Sequence, residues 1–374
     1  MKLAFALFRY FPYGGLERDL LALAQLMHAR GHDVTIYTRS WEGPRPDLPV
    51  VLLPVRALTN HGSNAAFARR LQSELPADVD AVVGFNKMPG LDFYYAADVC
   101  FARKAYAERS WIYRLTSRAR SSLVMEEHVF GRGAHTQILM ISQPQVGIYQ
   151  RYYGTDAARF HMLPPGIRRD RIMPDDYTQR RAQLRADYGL SDADRLLMMV
   201  GSDFRRKGLD RAIRALAAMP AAERAQYHLW VAGQDKAQPF EQLARELGVS
   251  EQVRILGGRD DVSELLWAAD MLLHPAYSEN TGTALLEGMV AGLPVIATAT
   301  CGYAHYIDDY RMGEILADEA GADVFAAAIR RQLQTDRDEW VARARHMIDH
   351  ADIFSMTERA AELIERGASR TKAG

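Results

Sequence analysis

The sequence predicts an α/β fold of two doubly wound domains, each built on a parallel β-sheet. Its 374 residues exceed the ~100–200 residues that a single domain usually holds. Short apolar runs alternate with stretches of helical periodicity along the chain, which is typical of successive βα units. This alternation starts afresh after Leu163-Pro164-Pro165-Gly166, where two prolines interrupt helix and strand. We therefore expect one domain over residues 1–164 and a second over 165–349.

The apolar runs give the expected strands. In the first domain they are 2–8, 34–37, 81–84, 93–97 and 137–141, and in the second 196–200, 228–232, 253–256, 271–274 and 294–298. The first helix carries Leu16, Leu20, Leu23 and Met27 on one face and ends at Gly31. One long helix is expected from 337 to about 367, and its end, about 350–370, is expected to pack back on the first domain.

Composition excludes several classes of protein. Hydrophobic residues make up 48% and charged residues 25%, unlike disordered or collagen-like chains. The net charge of −1 provides no overall field that would favour nucleic acid. Cys100 and Cys301 fit a reducing compartment better than a disulfide scaffold. The N-terminal apolar run stops at Arg9, and no run approaches the ~20 apolar residues of a membrane span, so we expect a cytosolic protein.

Candidate chemistry lies in loops, because parallel sheets bind ligands at the carboxyl ends of their strands, here in a cleft between two facing domains. The loop at Gly14 and Gly15 lets backbone approach an anion at a helix start, although a tight turn would equally explain two glycines. It lacks Gly-x-Gly-x-x-Gly, and the second strand is followed by Arg39 rather than an acid. Both features argue against a nicotinamide cofactor.

Two further loops point to a nucleotide-sugar. Loop 201–208 places Arg205, Arg206 and Lys207 at a helix start, where the helix dipole disfavours cations unless an anion such as a diphosphate joins them. Solvated side chains are the alternative, and the loop is not a Walker motif. Loop 274–288 holds Glu279 before a helix and Glu287 one turn inside it. Carboxylates accept from paired hydroxyls, so these residues predict binding of ribose and hexose.

Glu279 and Glu287, with seven residues between them, resemble the paired-glutamate signature of retaining glycosyltransferase family 4, and Arg206-Lys207-Gly208 is similar to its diphosphate loop. Segments 9–19, 83–92, 97–100 and 301–306 resemble the members that glycosylate the lipopolysaccharide core of bacteria. The resemblance covers nearly the whole chain. It implies the GT-B fold of two Rossmann-like domains, the first binding the acceptor and the second a nucleotide-sugar. The implied reaction moves a hexose from a UDP-sugar such as UDP-glucose to heptose of the inner core.

The resemblance also implies roles for individual residues. The catalytic candidates are Asp98, which stands where many relatives have a histidine, Glu279, Arg206 and Lys207. The donor would contact Gly14, Gly15, Asp19, Arg171, Ser202, Arg206, Lys207, Gly258, Arg259, Glu279, Asn280, Thr281, Gly282, Thr283 and Glu287. Among these, Glu287 would bind the ribose, Arg171 the diphosphate, and Gly258 and Arg259 would border the uracil. Asp98 has a second interpretation as a helix cap or turn residue.

Loops of the first domain supply the candidates for binding the acceptor and one motif that resembles a metal site. Asn86 and Lys87 are the acceptor candidates, with Lys87 meeting a phosphate on heptose or being a plain surface lysine. Asp78-Val79-Asp80 resembles the metal-binding motif of other glycosyltransferases but precedes a strand, so we interpret it as turn chemistry. Arginine, lysine and helix dipoles can offset a diphosphate, and zinc-ligand spacing is missing. We therefore expect neither a metal nor a cofactor.

Residues 103–120 form a basic segment with six cations against one acid. The residues of this segment that would contact a membrane are its six cations and one tryptophan: Arg103, Lys104, Arg109, Trp111, Arg114, Arg118 and Arg120. This pattern predicts peripheral binding to the anionic cytoplasmic face of the inner membrane, with a solvated helix face as the alternative. Binding of RNA is disfavoured by the acidic remainder of the chain.

Two other functions stay open at this point: a uridine-nucleotide-binding protein without transfer activity, and a UDP-sugar epimerase of similar fold. The donor sugar is also open. Asn280, Thr281 and Thr283 put an amide and two hydroxyls beside the expected sugar site, which favours a hexosamine donor such as UDP-N-acetylgalactosamine. Alternatively these side chains face solvent or cap the helix starting near Ala284, with Thr283 as the N-cap.

Overall fold

The computed structural model describes residues 1–12 and 14–371, and the chain divides into two compact units. Unit 1 comprises Met1–Gly166 and Ser355–Gly374, and unit 2 comprises Ile167–Phe354. The first boundary lies beside the paired prolines, and the chain returns to unit 1 a few residues after position 349. Each unit has apolar clusters on both faces of its own sheet.

The described residues of unit 1 form seven parallel strands. They are β1 (Lys2–Leu7), β2 (Asp33–Thr38), β3 (Val50–Leu52), β4 (Ala81–Gly84), β5 (Phe93–Ala96), β6 (Gln137–Met140) and β7 (Phe160–Met162). Its helices before the boundary are α1 (Gly15–Ala29), α2 (Asn60–Glu74), α3 (Phe101–Arg103), α4 (Ser117–Phe130) and α5 (Gln143–Tyr153). The spatial order of the strands is β3-β2-β1-β4-β5-β6-β7. Along β1, Leu3 and Phe5 join one apolar cluster and Ala4 the other, because successive side chains of a strand point to opposite faces.

Unit 2 contains six parallel strands. They are β8 (Arg195–Val200), β9 (Tyr227–Ala232), β10 (Val253–Gly257), β11 (Met271–His274), β12 (Val295–Thr298) and β13 (Gly313–Leu316), in the order β10-β9-β8-β11-β12-β13. Its helices are α6 (Tyr177–Asp187), α7 (Leu209–Ala217), α8 (Ala221–Arg224), α9 (Gln238–Glu246), α10 (Val262–Ala268), α11 (Thr283–Val290), α12 (His305–Asp309), α13 (Ala322–Gln332) and α14 (Arg337–His350). The fold class predicted from the sequence, two doubly wound parallel sheets, is confirmed.

The sequence analysis missed β3, β7 and β13. All three lie at the edge of a sheet, and they are only three or four residues long. An edge strand has one neighbour and is partly exposed, so β7 and β13 carry His161 and Glu314 where a covered strand would have a continuous apolar run. β3 is apolar, but it is only three residues long.

The prediction of one long C-terminal helix is wrong. The chain forms α14 and then α15 (Met356–Thr371), with an irregular segment over 351–355. The apolar face of α14, including Trp340, packs in the core of unit 2, whereas that of α15, including Ile364, packs in the core of unit 1. Glu365 of α15 is 3.0 Å from Arg30 and 2.9 Å from His32. The break therefore lets two adjacent helices bury their apolar faces in different units.

Strand order reverses once in each sheet, between β1 and β4 in unit 1 and between β8 and β11 in unit 2. At such a pair the following loops part to opposite faces of the sheet and leave a crevice at the carboxyl ends of the strands. These two places are where each unit is expected to bind a ligand. Within residues 1–12 and 14–371, no helix has both the length and the apolar composition needed to cross a bilayer.

Candidate functional site

The first candidate site lies at the strand reversal of unit 2. The loop after β8 carries Arg206 and Lys207, and the loop after β11 carries Glu279. The structure brings these three predicted residues together. The Lys207 ammonium contacts the Glu279 carboxylate, and Arg206 Nη1 lies 3.3 Å from Glu279 Oε2. The crevice therefore carries two cations around one carboxylate.

The backbones of the two loops are joined. The Tyr277 N–H donates to the Arg206 carbonyl at 2.8 Å. Gly208 has a φ of +77°, and a Cβ at this position would lie 2.0 Å from the carbonyl oxygen of Pro275. Glycine fits both the left-handed backbone and this close approach, so Gly208 fixes the spacing of the two loops. Asp203 also has a positive φ of 62°, and its Oδ2 accepts from Arg206 Nε at 2.9 Å.

Glu279 is buried, with its side chain 8% exposed. Burial opposes its ionisation, but a hydrogen bond with His274 and the charges of Lys207 and Arg206 outweigh burial and hold the pKa of Glu279 well below its usual range. Burial also lowers the pKa of His274, whose neutral ring places Nε2 at 3.4 Å from Glu279 Oε2. Glu279 is therefore a carboxylate at neutral pH, and it accepts hydrogen bonds rather than supplying a proton.

Glu287 lies one turn inside α11 and is also buried. Its Oε1 is 3.5 Å from Arg171 Nε, while Arg171 Nη1 donates to Ser263 Oγ at 2.7 Å. Arg171, expected at the diphosphate, thus lies beside the expected ribose ligand. Arg171 and Glu287 therefore form a second ion pair in unit 2, separate from that of Lys207 and Glu279.

The loops after β8, β9 and β10 meet around Gln234. The Gln234 N–H donates to Ser202 Oγ at 3.1 Å, and a Cβ on Gly258 would lie 2.8 Å from Gln234 Nε2. Arg259 Nε, two residues before Asp261, donates to its Oδ1 at 2.7 Å. Ser202 and Gly258, two of the predicted donor residues, therefore lie against one residue that the sequence did not single out, Ser202 at its backbone and Gly258 at its side chain. Arg259 is already paired with an acid.

The connection from Glu279 to α11 contains Asn280 and Thr281, two of the residues expected to discriminate between donor sugars. The N-cap of α11 is Gly282, with a φ of +84°, and no side-chain cap is formed by the residues that the structure describes. The alternative that Thr283 caps this helix is therefore wrong, because Thr283 is its first residue. Thr281 is buried, and its carbonyl accepts from the Tyr303 N–H at 2.8 Å. The Asn280 N–H donates to Glu279 Oε1 at 3.1 Å.

The second candidate site is a cavity of about 340 Å³ at the strand reversal of unit 1. Small-molecule sites usually measure about 300–1,000 Å³, so it is large enough for part of a sugar acceptor. Both Asn86, after β4, and Asp98, after β5, line it. Asn86 Oδ1 accepts from the Phe8 N–H at 2.8 Å, and the Asp98 carbonyl accepts from the Tyr149 hydroxyl at 3.0 Å. The structure thus gathers two predicted residues from separate loops at one cavity.

Lys87 lines the same cavity, but its ammonium is already neutralised. Lys87 Nζ lies 2.5 Å from Glu126 Oε1 and donates to the Val99 carbonyl at 2.9 Å. Burial disfavours the ammonium, but Glu126 outweighs burial and raises the pKa of Lys87. Fully buried Glu126 also accepts from the N–H groups of Phe101 and Ala102 at 2.8 Å. The surface-lysine interpretation is wrong, and a phosphate ligand at Lys87 would have to share its ammonium with Glu126.

The Gly14-Gly15 loop begins α1. A Cβ on Gly14 would lie 1.7 Å from Glu17 Oε2, whereas nothing lies within 4 Å of the corresponding position on Gly15. A side chain at position 14 would therefore displace the Glu17 carboxyl from the helix start, and the backbone at Gly15 is open to a ligand. Asp19 Oδ2 accepts from the Tyr95 hydroxyl at 2.9 Å, which directs that carboxylate toward the sheet.

The basic segment 103–120 exposes apolar as well as charged side chains. Trp111 is 64% exposed and Ile112 is 59% exposed. The guanidinium of Arg114 lies 4.9 Å from the ring centroid of Tyr106, which is itself exposed. The exposed cations are Arg103, Arg109, Arg118 and Arg120. Cations and aromatic rings therefore share one solvent-facing segment.

Across the described ranges 1–12 and 14–371, no group of three or more His, Cys, Asp or Glu is arranged to hold a metal ion. Asp78 and Asp80 precede β4 and both bind Lys2, through its ammonium and its N–H. They therefore lie at the amino end of the sheet, away from the carboxyl ends of the strands.

Sequence reasoning missed several residues that the geometry places in these sites. His274 begins loop 274–288, and its signal is a histidine at the end of a strongly apolar strand. Asp203 is a turn-forming residue three positions before Arg206, the cation that its carboxylate binds. Glu126 had no signal, because it is a single acid in an otherwise unremarkable helix and lies 39 residues from Lys87.

Comparison with known proteins agrees with this arrangement. Residues 13–171 match the model of glycosyltransferase family 4, and residues 180–348 match that of the glycosyl transferases group 1. The lipopolysaccharide glucosyltransferase WaaG of Escherichia coli K12 is 46% identical over 98% of this chain and 99% of its own. A D-inositol 3-phosphate glycosyltransferase of Geodermatophilus obscurus is 33% identical over 91% of this chain and 82% of its own.

Solved structures give the same result. The crystal structure of WaaG, a glycosyltransferase involved in lipopolysaccharide biosynthesis, aligns with a TM-score of 0.92, covering 97% of this chain and 99% of that chain at 46% identity. HepE of Anabaena in complex with UDP-glucose aligns with a TM-score of 0.76, covering 98% and 100% at 17% identity, a likeness that shows the fold alone. The chain therefore belongs to glycosyltransferase family 4, has the GT-B fold and is a glycosyltransferase similar to WaaG.

Proposed function

We propose that this chain is a retaining, metal-independent transferase that moves a hexose from a UDP-sugar to a heptose of the lipopolysaccharide inner core. Unit 2 would bind the donor and unit 1 the acceptor. The observation that carries the proposal is the contact of Arg206 and Lys207 with buried, ionised Glu279 at the strand reversal of unit 2. The 46% identity with WaaG supports the lipopolysaccharide acceptor, and the complexes of HepE with UDP and UDP-glucose support the donor class.

Arg206 and Lys207 supply positive charge where the diphosphate would leave. Two cations face one carboxylate of Glu279, and Asp203 accepts from the Nε of Arg206. The remaining N–H groups can donate to phosphate oxygens, whose negative charge grows as the glycosidic bond breaks. Because Glu279 is ionised, its second task is to accept hydrogen bonds from hydroxyls of the donor sugar.

In the retaining reaction, the acceptor hydroxyl attacks the anomeric carbon from the face that the diphosphate leaves. The bond from the anomeric carbon to the diphosphate oxygen breaks, and a bond to the acceptor oxygen forms. The hydroxyl proton passes to the departing phosphate oxygen, so the reaction requires no protein base. Asp98, which lines the cavity of unit 1, would act on the acceptor side.

The donor sugar is a finer part of the proposal. Asn280 is tied to Glu279 through its N–H, and Thr281 is buried beside it. Polar groups in a sugar pocket favour a ligand that forms hydrogen bonds with them, and an N-acetyl group can do so. UDP-N-acetylgalactosamine therefore stands beside UDP-glucose as a candidate donor.

A single assay tests the reaction and the sugar. The purified chain is incubated in EDTA with UDP-glucose, UDP-galactose or either UDP-N-acetylhexosamine, with and without a heptosylated lipid A-core acceptor. We expect a product of retained configuration only when the acceptor is present. Isomerised donor without acceptor would indicate an epimerase, and donor binding without turnover would indicate a nucleotide-binding protein.

The same assay decides the hexosamine hypothesis. If an N-acetylhexosamine is the preferred donor through these side chains, Asn280→Ala and Thr281→Ala should reduce that preference, since a site built to hydrogen-bond a substituent discriminates strongly against its absence. A preference for UDP-glucose that survives both substitutions contradicts the hexosamine hypothesis and leaves hexose transfer intact.

The exposed basic segment 103–120 supports peripheral association with the anionic cytoplasmic face of the inner membrane. Each cation near anionic lipid contributes about 1 kcal/mol, and this attraction is screened over ~10 Å at 0.1 M salt. Joint replacement of Arg109, Arg114 and Arg118 by glutamine should weaken binding to anionic vesicles. Zwitterionic vesicles are the control, and unchanged binding of the triple variant to anionic vesicles would refute a membrane role for this segment.

A further inference from the structure

A second cavity of unit 1 adjoins the one lined by Asn86 and Asp98. Its volume is about 250 Å³, and both cavities are lined by Phe8, Asn64 and Asn86. It lies where β1 and β2 end, because Arg9 and Arg39, which follow these strands, also line it. A ligand in the first cavity would therefore have a substituent within reach of the second.

Two arginines, Arg9 and Arg39, line the second cavity. Neither Arg9 nor Arg39 forms an ion pair with any residue in the ranges 1–12 and 14–371. Arg39 Nε donates to the Phe8 carbonyl at 3.2 Å, which orients the guanidinium and leaves its terminal nitrogens as donors. Burial and the charge of nearby Arg9 lower the pKa of Arg39. The two like charges therefore destabilise each other unless an anion joins them.

The acid nearest to these cations does not fill that role. Glu17 is the one carboxylic acid among the described residues that line the cavity, and it is buried. Burial raises the pKa of Glu17 to about 7, an effect that the charge of Arg9 opposes only in part. Much of Glu17 is therefore protonated near neutral pH. The other polar groups of the lining are amides, those of Asn60, Asn64 and Asn86.

We propose that this cavity is an oxyanion subsite that binds a phosphate or carboxylate group of the acceptor, next to the cavity that holds its reacting sugar. A guanidinium presents two parallel N–H donors, which match the paired oxygens of either group. The identity of the acceptor rests on the proposed function. The sequence predicts an acceptor phosphate at Lys87, but Lys87 is bound to Glu126, whereas Arg9 and Arg39 form no ion pair with a described acid.

Binding of inorganic phosphate and of UDP to the full chain, measured by titration calorimetry, tests the subsite without requiring turnover. Arg9→Gln and Arg39→Gln should each weaken phosphate binding about ten-fold or more, the usual effect of removing a charged hydrogen bond, and Arg39→Lys should restore part of it. Arg45→Gln, at an exposed arginine of the same unit outside the cavity, is the matched control. The affinity for UDP should stay the same in all variants.

Steady-state kinetics then identify the source of the oxyanion. Three acceptors are compared: one with a phosphate on heptose, one with the carboxylate of an adjacent acidic sugar, and one with neither. Arg39→Gln should raise KM for the acceptor whose oxyanion the subsite binds, change kcat little, and leave KM for the uncharged acceptor unchanged. Equal increases of KM for all three acceptors would contradict an oxyanion role.

Two further results would overturn the proposal. Phosphate binding that is equal in the wild type and in all variants would mean that the cavity does not bind oxyanions. A parallel loss of UDP affinity would assign the two arginines to the donor diphosphate. Loss of phosphate binding in both glutamine variants, with no transfer by the wild type to any acceptor, would instead refute the proposed transfer while the oxyanion subsite stands.

Discussion

Lys207 in unit 2 and Lys87 in unit 1 were both predicted from the sequence to touch a substrate, and both pair with a buried glutamate. At Lys207, the carboxylate of Glu279 is shared with the partly exposed Arg206 and a neutral histidine. At Lys87, the carboxylate of Glu126 also accepts from two backbone N–H groups and from a tyrosine hydroxyl at 2.7 Å. The two ion pairs thus differ in what surrounds the acid.

This difference separates an ion pair that can bind a ligand from one that only stabilises the fold. A carboxylate has about four acceptor positions, and the bonds around Glu126 saturate them with groups of the protein itself. Around Glu279 the donors are not used up, because Arg206, which Asp203 also binds through Nε, is partly exposed and keeps N–H groups for a phosphate. An ion pair at a strand end therefore indicates ligand binding when its cations keep exposed donors, and rigidity when its acid is saturated.

The largest expected effect is on the unfolding free energy when the Lys87–Glu126 pair is broken. Glu126→Gln leaves the buried Lys87 ammonium unpaired, and breaking such a pair typically costs about 3–5 kcal/mol of unfolding free energy. Urea unfolding measures this loss. Glu126→Gln combined with Lys87→Met should cost less than the sum of the single variants, because the double variant leaves no buried charge. A loss below about 1 kcal/mol for Glu126→Gln would contradict the structural role.

At the Lys207–Glu279 pair, substitution should reduce activity more than stability. Lys207→Ala should lower kcat about 10²-fold or more, the usual loss when one donor to a developing negative charge is removed. The unfolding free energy should fall less than in Glu126→Gln, since Arg206 and His274 still contact Glu279. Lys236→Ala, at an exposed lysine of the same unit, is the control. Lost stability with an unchanged kcat would place Lys207 in the same class as Lys87.

The sequence revealed one of these pairs and concealed the other for a physical reason. Lys207 and Glu279 lie in loops after β8 and β11, adjacent strands whose continuous apolar runs and following Gly-rich loops are visible in the chain. Glu126 lies on α4, and nothing in its helix marks the side chain that faces the loop of Lys87. Its partner is set by how α4 packs, and no local pattern records that packing. In the same way, the edge positions of β3, β7 and β13 are set by the order of the strands in each sheet.

Glu17 extends the comparison to a buried glutamate that forms no ion pair in the described part of the chain. Burial raises its pKa to about 7 from an ordinary value of 4.5, whereas cations hold that of Glu279 low. The folded chain therefore keeps a proton that the unfolded chain releases. The stability this proton provides is complete below about pH 4.5 and falls as pH rises to about 7.

The smallest effect is therefore pH-dependent. Glu17→Gln should change unfolding free energy little at pH 5 but stabilise the chain by about 1–3 kcal/mol at pH 8, because the amide carries no charge to bury. Glu279→Gln should have the opposite sign at pH 8, since it removes a carboxylate that Arg206 and Lys207 stabilise. Urea unfolding of both variants at the two pH values checks this. An equal difference at both pH values for Glu17→Gln would show that its carboxyl does not titrate in this range.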